Sequence, residues 1–395
     1  MSNLGDAMAG VVVPLAAVTV LHASALSVSS LTAATYLPYL LVGLPAGAWV
    51  DRLPCRPVLI GCDLAQVLLF ASLPLAAALG VLTFGQLLGV ALLAGTAGMV
   101  FGSSYGVYLT TLVKPEELME GNAKLEGSSS VTRVVGPGLG GLAAQAFGPV
   151  TTLLFDAGSF LFSAVCLVRV DARSLHDPRE RRGTTIRADI AEGIRLVFHD
   201  RYLRPLVVWA ALANFGLSGY FALIVVFLVR SVGLSAALVG TLLTVGGVGG
   251  VAGAFAARRL TARFGTARTL VANCTLSAAC GMLTVLAHRG PRLAFAVVGI
   301  LVLEGGLVLG GVILATFRQG YVAPEALGRV GTSMRMVTYG IAPIGALIAG
   351  TLADAFGPRL ALTLMLSVSV AGAGLLFTGP FRGRRDLPVR PPPPA

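Results

Sequence analysis

"GAWVDRLPCRPV", residues 47–58, sets one carboxylate and two guanidinium groups between two long apolar stretches. A charge at the centre of a bilayer-spanning helix costs about 2.5–3.5 kcal/mol on insertion scales, so charges collect where a chain leaves the membrane. The stretch therefore reads as a polar turn between two crossings of a lipid bilayer. Composition agrees: the chain is 55% hydrophobic and 12% charged, with a mean hydropathy of +0.84, outside the range of soluble globular domains. A hydrocarbon core of about 30 Å needs roughly 20 apolar residues per helical crossing. Working outward from 47–58, such runs lie at 2–21, 30–50, 57–79, 83–111, 128–147, 149–169, 205–229, 234–257, 268–287, 293–317, 334–356 and 358–379. They lack the period-two alternation of outer-membrane strands, so helices are expected rather than a barrel. The 50 glycines fit helices that approach closely inside a membrane.

A net charge of +11 would suit nucleic acid in a soluble protein, but in a membrane chain the placement of basic residues matters instead. Of the 29, 24 fall on one side of this span assignment, four on the other (Arg230, Arg289, Arg292 and Arg359) and one, Arg133, inside a span. By the positive-inside rule the basic side is cytoplasmic, with both termini there. Met1 runs straight into the first apolar run without a basic leader, so no cleavable signal is expected. Only Lys114 and Lys124 are lysines; such arginine usage suits a GC-rich bacterial genome and an inner-membrane location.

Cys55, Cys62, Cys166, Cys274 and Cys280 show no metal-ligand spacing and read as small packing residues. His22, His176, His199 and His288 lie apart at loops and helix ends, so they build no hydrolytic constellation, and no phosphate-binding loop is visible. No cofactor or metal and no enzymatic activity are expected.

The chain repeats itself. "GAWVDR" at 47–52 returns as "GAFAAR" at 253–258, "PEEL" at 115–118 as "PEAL" at 324–327, and "AFGP" at 146–149 as "AFGP" at 355–358. Duplication of a six-helix unit accounts for all three. The expected fold is an all-α integral membrane protein, with twelve transmembrane helices in two pseudo-symmetric six-helix bundles at 1–170 and 205–380. A central loop, 171–204, joins them, and a Pro/Arg-rich tail covers 381–395. Within the loop Ile186, Ile190, Ile194, Val197 and Phe198 share one helical face, as in an amphipathic helix lying on the inner membrane surface.

This pattern resembles the major facilitator superfamily. Gly47, Asp51, Arg52 and Arg56 match its loop signature G-x-x-x-D-R-x-x-x-R between helices two and three, although Cys55 stands where a basic residue is usual. "LGD", "GLPAGAWVDR" and "RVVGPGLGG" look most like the twelve-helix exporters of drugs, macrolides and siderophores. The resemblance implies that the 47–56 charges clasp the cytoplasmic gate; Ala257 replaces the acid in the second copy. It also implies an exporter motif in Gly136, Pro137, Gly140 and Gly141, where Pro137 removes a helical hydrogen bond and the glycines leave a smooth face.

Ionisable residues within spans need a partner or a task. In the family's architecture helices one and ten line the central path, which places Asp6 and Glu304 beside it, and a carboxylate there can carry a proton across. Asn214, Tyr220 and Tyr105, with Tyr108 and Ser218, are the polar groups that could meet a substrate. Asp63, Arg133 and Asp156 read as structural charges, the first two as an ion pair. Helix four lacks the arginine of proton-driven relatives. The resulting expectation is a monomeric, proton-coupled exporter of a small amphipathic compound such as an antibiotic, metabolite or siderophore. Its partners are that small-molecule substrate, protons and the lipid bilayer. An importer of the same fold is the alternative, followed by a non-transporting receptor or a membrane enzyme.

Overall fold

The two "AFGP" segments show how the chain turns from one helix into the next with a single residue between them. Gly148 (φ 83°) and Gly357 (φ 88°) adopt left-handed conformations that a Cβ disfavours, and each is followed by a proline that opens the next helix. A proline at a first helical position gives up only an N–H that has no partner anyway. The repeated sequence is therefore a repeated joint.

The computed structural model describes residues 2–41, 55–112, 118–169, 194–378 and 380–389. Its helices are α1 (Ser2–Thr19), α2 (Ala25–Leu41), α3 (Cys55–Ala78), α4 (Phe84–Leu112), α5 (Leu118–Phe147), α6 (Pro149–Arg169) and α7 (Leu203–Val226). They continue with α8 (Ala236–Phe264), α9 (Thr266–Gly281), α10 (Leu293–Tyr321), α11 (Pro324–Gly340), α12 (Ala342–Phe356) and α13 (Pro358–Thr378). No strand occurs among the described residues.

Ten stretches among the described residues are long and apolar enough to cross a membrane. α2 and α5 are not among them: only 17 residues of α2 are described, and α5 opens with the polar "LMEGNAKLEGSSS". The expected span at 334–356 is among the ten, as Ser333–Phe356, with a one-residue break at Ile341 between α11 and α12. Pro343 explains the break, since it offers no N–H and its ring crowds the carbonyl one turn back.

The chain forms two compact units, Met1–Gly183 with Ala222–Thr244, and Thr184–Phe221 with Val245–Ala395. In the first, Gly136 and Gly140 of α5 seat against Ala7 and Met8 of α1, and Gly5 of α1 against Ser159 and Phe160 of α6. Gly95 of α4 meets the Thr35 backbone of α2, and Phe70 of α3 stacks on Phe160 at 5.6 Å. The second unit repeats this plan. Gly345 of α12 meets Phe215 of α7, Gly216 of α7 meets Met365 and Ser369 of α13, and Gly249 and Gly253 of α8 meet Leu301 and Gly305 of α10. The segment 222–244, expected with the second bundle, groups with the first because Gly240 and Thr244 of α8 pack on Gly141 and Gly138 of α5. Within that unit Arg230 also donates to the Ala23 carbonyl at 2.5 Å.

Residues 380–389 are docked rather than loose. Phe381 and Leu387 are buried in the second unit's core, Arg384 lies over the Tyr202 ring, and the Asp386 carboxylate accepts the Thr266 N–H at 2.9 Å. This caps the first turn of α9 from a remote part of the chain. Asp200 does the same locally for α7, accepting from the N–H groups of Tyr202 and Leu203 at 2.7 and 2.8 Å. The first part of the expected amphipathic helix, including Ile186 and Ile190, lies outside the described residues, as does the "RPPPPA" end.

Candidate functional site

Gly47, Asp51 and Arg52 of the gate signature lie outside the described residues. Arg56 opens α3 and reaches across to α6, where its Nε donates to the Leu167 carbonyl at 3.1 Å and its Nη2 to that of Val168 at 2.6 Å. A guanidinium on the last carbonyls of a helix satisfies acceptors that have no intrahelical donor and complements the negative end of the helix dipole. Arg56 thus ties the starts and ends of two helices within one unit. Tyr105 stacks on Phe101 at 5.5 Å, and with Tyr108, Leu59 and Cys55 forms an apolar cluster at this same end.

Three carboxylates come together in the first unit. Asp6 of α1 interacts electrostatically with Asp63 of α3, and Asp156 of α6 with Asp6. Asp63 and Asp156 are fully buried, and neither carboxylate makes a hydrogen bond; Ser2 and Ser163 are polar neighbours of Asp63 outside bonding geometry. The expected Asp63–Arg133 ion pair is not formed. Arg133 is exposed on α5 and donates to Ser129 Oγ at 3.4 Å, because the α5 face turned toward α1 is the glycine face and the arginine lies off it. Asp156, expected as a structural charge, joins this group. Gly5 packs at the level of Ser159 and Phe160, and α6 runs on from there to Arg169, about 15 Å at 1.5 Å per residue. Asp6 therefore sits at mid-depth of α6.

The α5 motif builds a contact surface. A Cβ on Gly141 would stand 2.6 Å from the Ala236 oxygen and 2.7 Å from Gly240 Cα, and one on Gly240 would stand 2.5 Å from the Pro137 oxygen. Helix backbones touch here with no side chain between them, which two facing glycines permit. Pro137 does not end the helix, which continues to Phe147.

In the second unit Glu304 of α10 is half-buried and packs against Gly246 of α8. Tyr220 of α7 is buried and interacts electrostatically with Glu304; Thr284, just beyond α9, is a neighbour of its hydroxyl outside strict hydrogen-bond geometry. Ser218 returns its hydroxyl to the Phe215 carbonyl of its own helix at 3.0 Å. Asn214 bonds back to the Ala210 carbonyl at 2.9 Å and lines a cavity of about 380 Å³. That cavity also takes in Asn273, Ser277, Arg318 and Arg335, none of which sequence reasoning selected. Both arginines are among the basic residues on the cytoplasmic side of the span assignment, and they lie on α10 and α11. The available signal was an "N-x-x-x-S" spacing, Asn273 and Ser277, on one face of an apolar helix. Among the described residues no group of His, Cys, Asp or Glu could hold a metal ion.

Comparison with known proteins follows the same lines. A family model described as Major Facilitator Superfamily matches residues 1–346. The chain is 31% identical over 387 residues to the multidrug efflux pump Tap of Mycolicibacterium fortuitum, covering 94% of this chain and 91% of that one. It is 29% identical over 378 residues to the pump of the same name from Mycobacterium tuberculosis, with 89% and 84% covered. Among solved structures, a bacterial homologue of the iron transporter ferroportin in its inward-facing state superposes with a TM-score of 0.75 at 19% identity, covering 97% and 96% of the two chains. A bacterial homologue of the human lysosomal transporter Spinster gives 0.75 at 15% identity, with 95% and 94% covered.

Proposed function

Because this chain belongs to the Major Facilitator Superfamily, whose members are multi-pass membrane transporters and not enzymes, we propose that it exports a small amphipathic compound from a bacterial cell in exchange for protons. In this reading twelve helices form two six-helix bundles in the inner membrane, both termini are cytoplasmic, and the protein works as a monomer. Gly47, Asp51, Arg52 and Arg56 act at the cytoplasmic gate, and Glu304 with Tyr220 serves the substrate path.

The observation that carries proton coupling is the meeting of Asp6, Asp63 and Asp156 inside the first unit, where neither buried carboxylate accepts a hydrogen bond. Asp63 and Asp156 are held away from water while the exposed Asp6 interacts with both, so binding a proton relieves the group, and a carrier must bind one on one side and release it on the other. Moving one charge through 100 mV supplies about 2.3 kcal/mol for export. Efflux is favoured over uptake by the name multidrug efflux pump carried by relatives near 30% identity.

The test is efflux of ethidium, an amphipathic reporter, from cells and from proteoliposomes. An uncoupler that collapses the pH gradient should abolish it, and Asp6→Asn with Asp156→Asn should remove its dependence on external pH. Efflux that persists after the gradient has collapsed would contradict the proposal.

A further inference from the structure

The cavity of the second unit has a chemistry that the proton-coupled reading does not use. Its walls come from α7, α9, α10, α11 and α13, with Trp209, Leu217, Leu303 and Leu307 giving an apolar body. Its volume, about 380 Å³, falls within the range of small-molecule sites, roughly 300–1,000 Å³. Arg318 and Arg335 stand together along one part of it and interact electrostatically as like charges. No aspartate or glutamate lines the cavity, and among the described residues neither guanidinium has a carboxylate partner. Glu304, one residue from Leu303, turns to Gly246 of α8 instead.

Two adjacent guanidinium groups raise each other's energy, and an anion shared between them removes that repulsion while accepting charge-assisted hydrogen bonds. The neighbouring apolar wall would take a hydrocarbon or aromatic body. We infer that this cavity binds an amphiphile with an anionic head, its carboxylate, phosphate or sulfonate held between Arg318 and Arg335 and its apolar part against Trp209 and Leu303. Such a head could belong to a soluble solute or to an anionic lipid.

Trp209 is a built-in reporter, since the chain has two tryptophans and Trp49→Phe leaves it alone. The full-length protein in phosphatidylcholine nanodiscs is titrated with 11-bromoundecanoate and with its neutral amide, whose bromine quenches tryptophan. The carboxylate should quench at a midpoint about tenfold or more below the amide. Arg318→Gln with Arg335→Gln should bring the two midpoints together, and the single variant at exposed Arg335, which leaves the helix packing untouched, should narrow the gap several-fold. Adding phosphatidylglycerol to the discs separates the sources: a raised carboxylate midpoint identifies a lipid headgroup as occupant and an unchanged one a soluble amphiphile, and both support an anion site. Equal midpoints in the wild type, or a preference undiminished in the Arg335→Gln variant, would overturn it. The titration needs no gradient, so loss of the preference leaves proton-coupled efflux standing, and failed efflux with an intact preference leaves the anion site standing.

Discussion

Replacing Gly141 by alanine adds one methyl group at the point where α5 and α8 touch. The added Cβ would stand 2.6 Å from the Ala236 oxygen, 2.7 Å from Gly240 Cα and 2.9 Å from Gly240 N. Carbon atoms rest about 3.5–4.0 Å apart, so the helices must separate by roughly 1 Å. All three opposing atoms are backbone and cannot swing aside. Overpacking of this kind costs about 1–3 kcal/mol. Alanine for glycine in a helix with open space returns about 0.4–1 kcal/mol through the unfolded state. The net expectation is a loss of about 1.3 kcal/mol, the difference between the midpoints of those two ranges. Gly98 on α4 supplies the control, because nothing lies within 4 Å of a Cβ there, and Gly98→Ala should be neutral or stabilising. Both variants are purified in detergent, heated in steps, and scored by the fraction that stays monodisperse; ethidium efflux is measured in parallel. Gly141→Ala should melt below the wild type and transport poorly, while Gly98→Ala should not. A Gly141→Ala protein that melts at or above the wild-type temperature and transports at the wild-type rate would refute the backbone contact.

Other outcomes follow from named groups. Asp386→Ala removes the side chain that accepts the Thr266 N–H, so the first turn of α9 should exchange its amide hydrogens faster, with a stability loss on the order of 1 kcal/mol; unchanged exchange at 266–269 would dismiss the tail as a cap. Asp51→Asn should stop transport while leaving a folded membrane protein, and full efflux by a normally expressed variant would sink the gate role. Single cysteines placed near Arg187 and near Ser29 should be labelled from the cytoplasm and from outside respectively; external labelling near Arg187 in sealed cells would reverse the topology. Glu304→Gln should slow export of a cationic substrate more than of a neutral one, and equal effects on both would remove Glu304 from the substrate path.

The sequence by itself determined that the chain lives in a membrane, that it is helical, and that it repeats, because hydropathy and turn chemistry act locally. Each apolar run is read from its own residues, and "AFGP" needs only its own glycine and proline to make a joint. It also disclosed the family through Gly47, Asp51, Arg52 and Arg56. Which charges meet was decided only in three dimensions. Asp63 and Arg133 pair in the sequence because both lie near one end of their expected spans, but rotation about the helix axis, fixed by Gly136 and Gly140 against α1, turns Arg133 outward, and Asp63 interacts with Asp6 instead. Asp156 joins them because Gly5 lets α1 settle at mid-depth of α6, and such depth and rotation depend on residues far apart in the chain. Arg318 and Arg335 show the same dependence: only the packing of α10 and α11 beside α7 and α9 turns two separate arginines into one wall of a cavity.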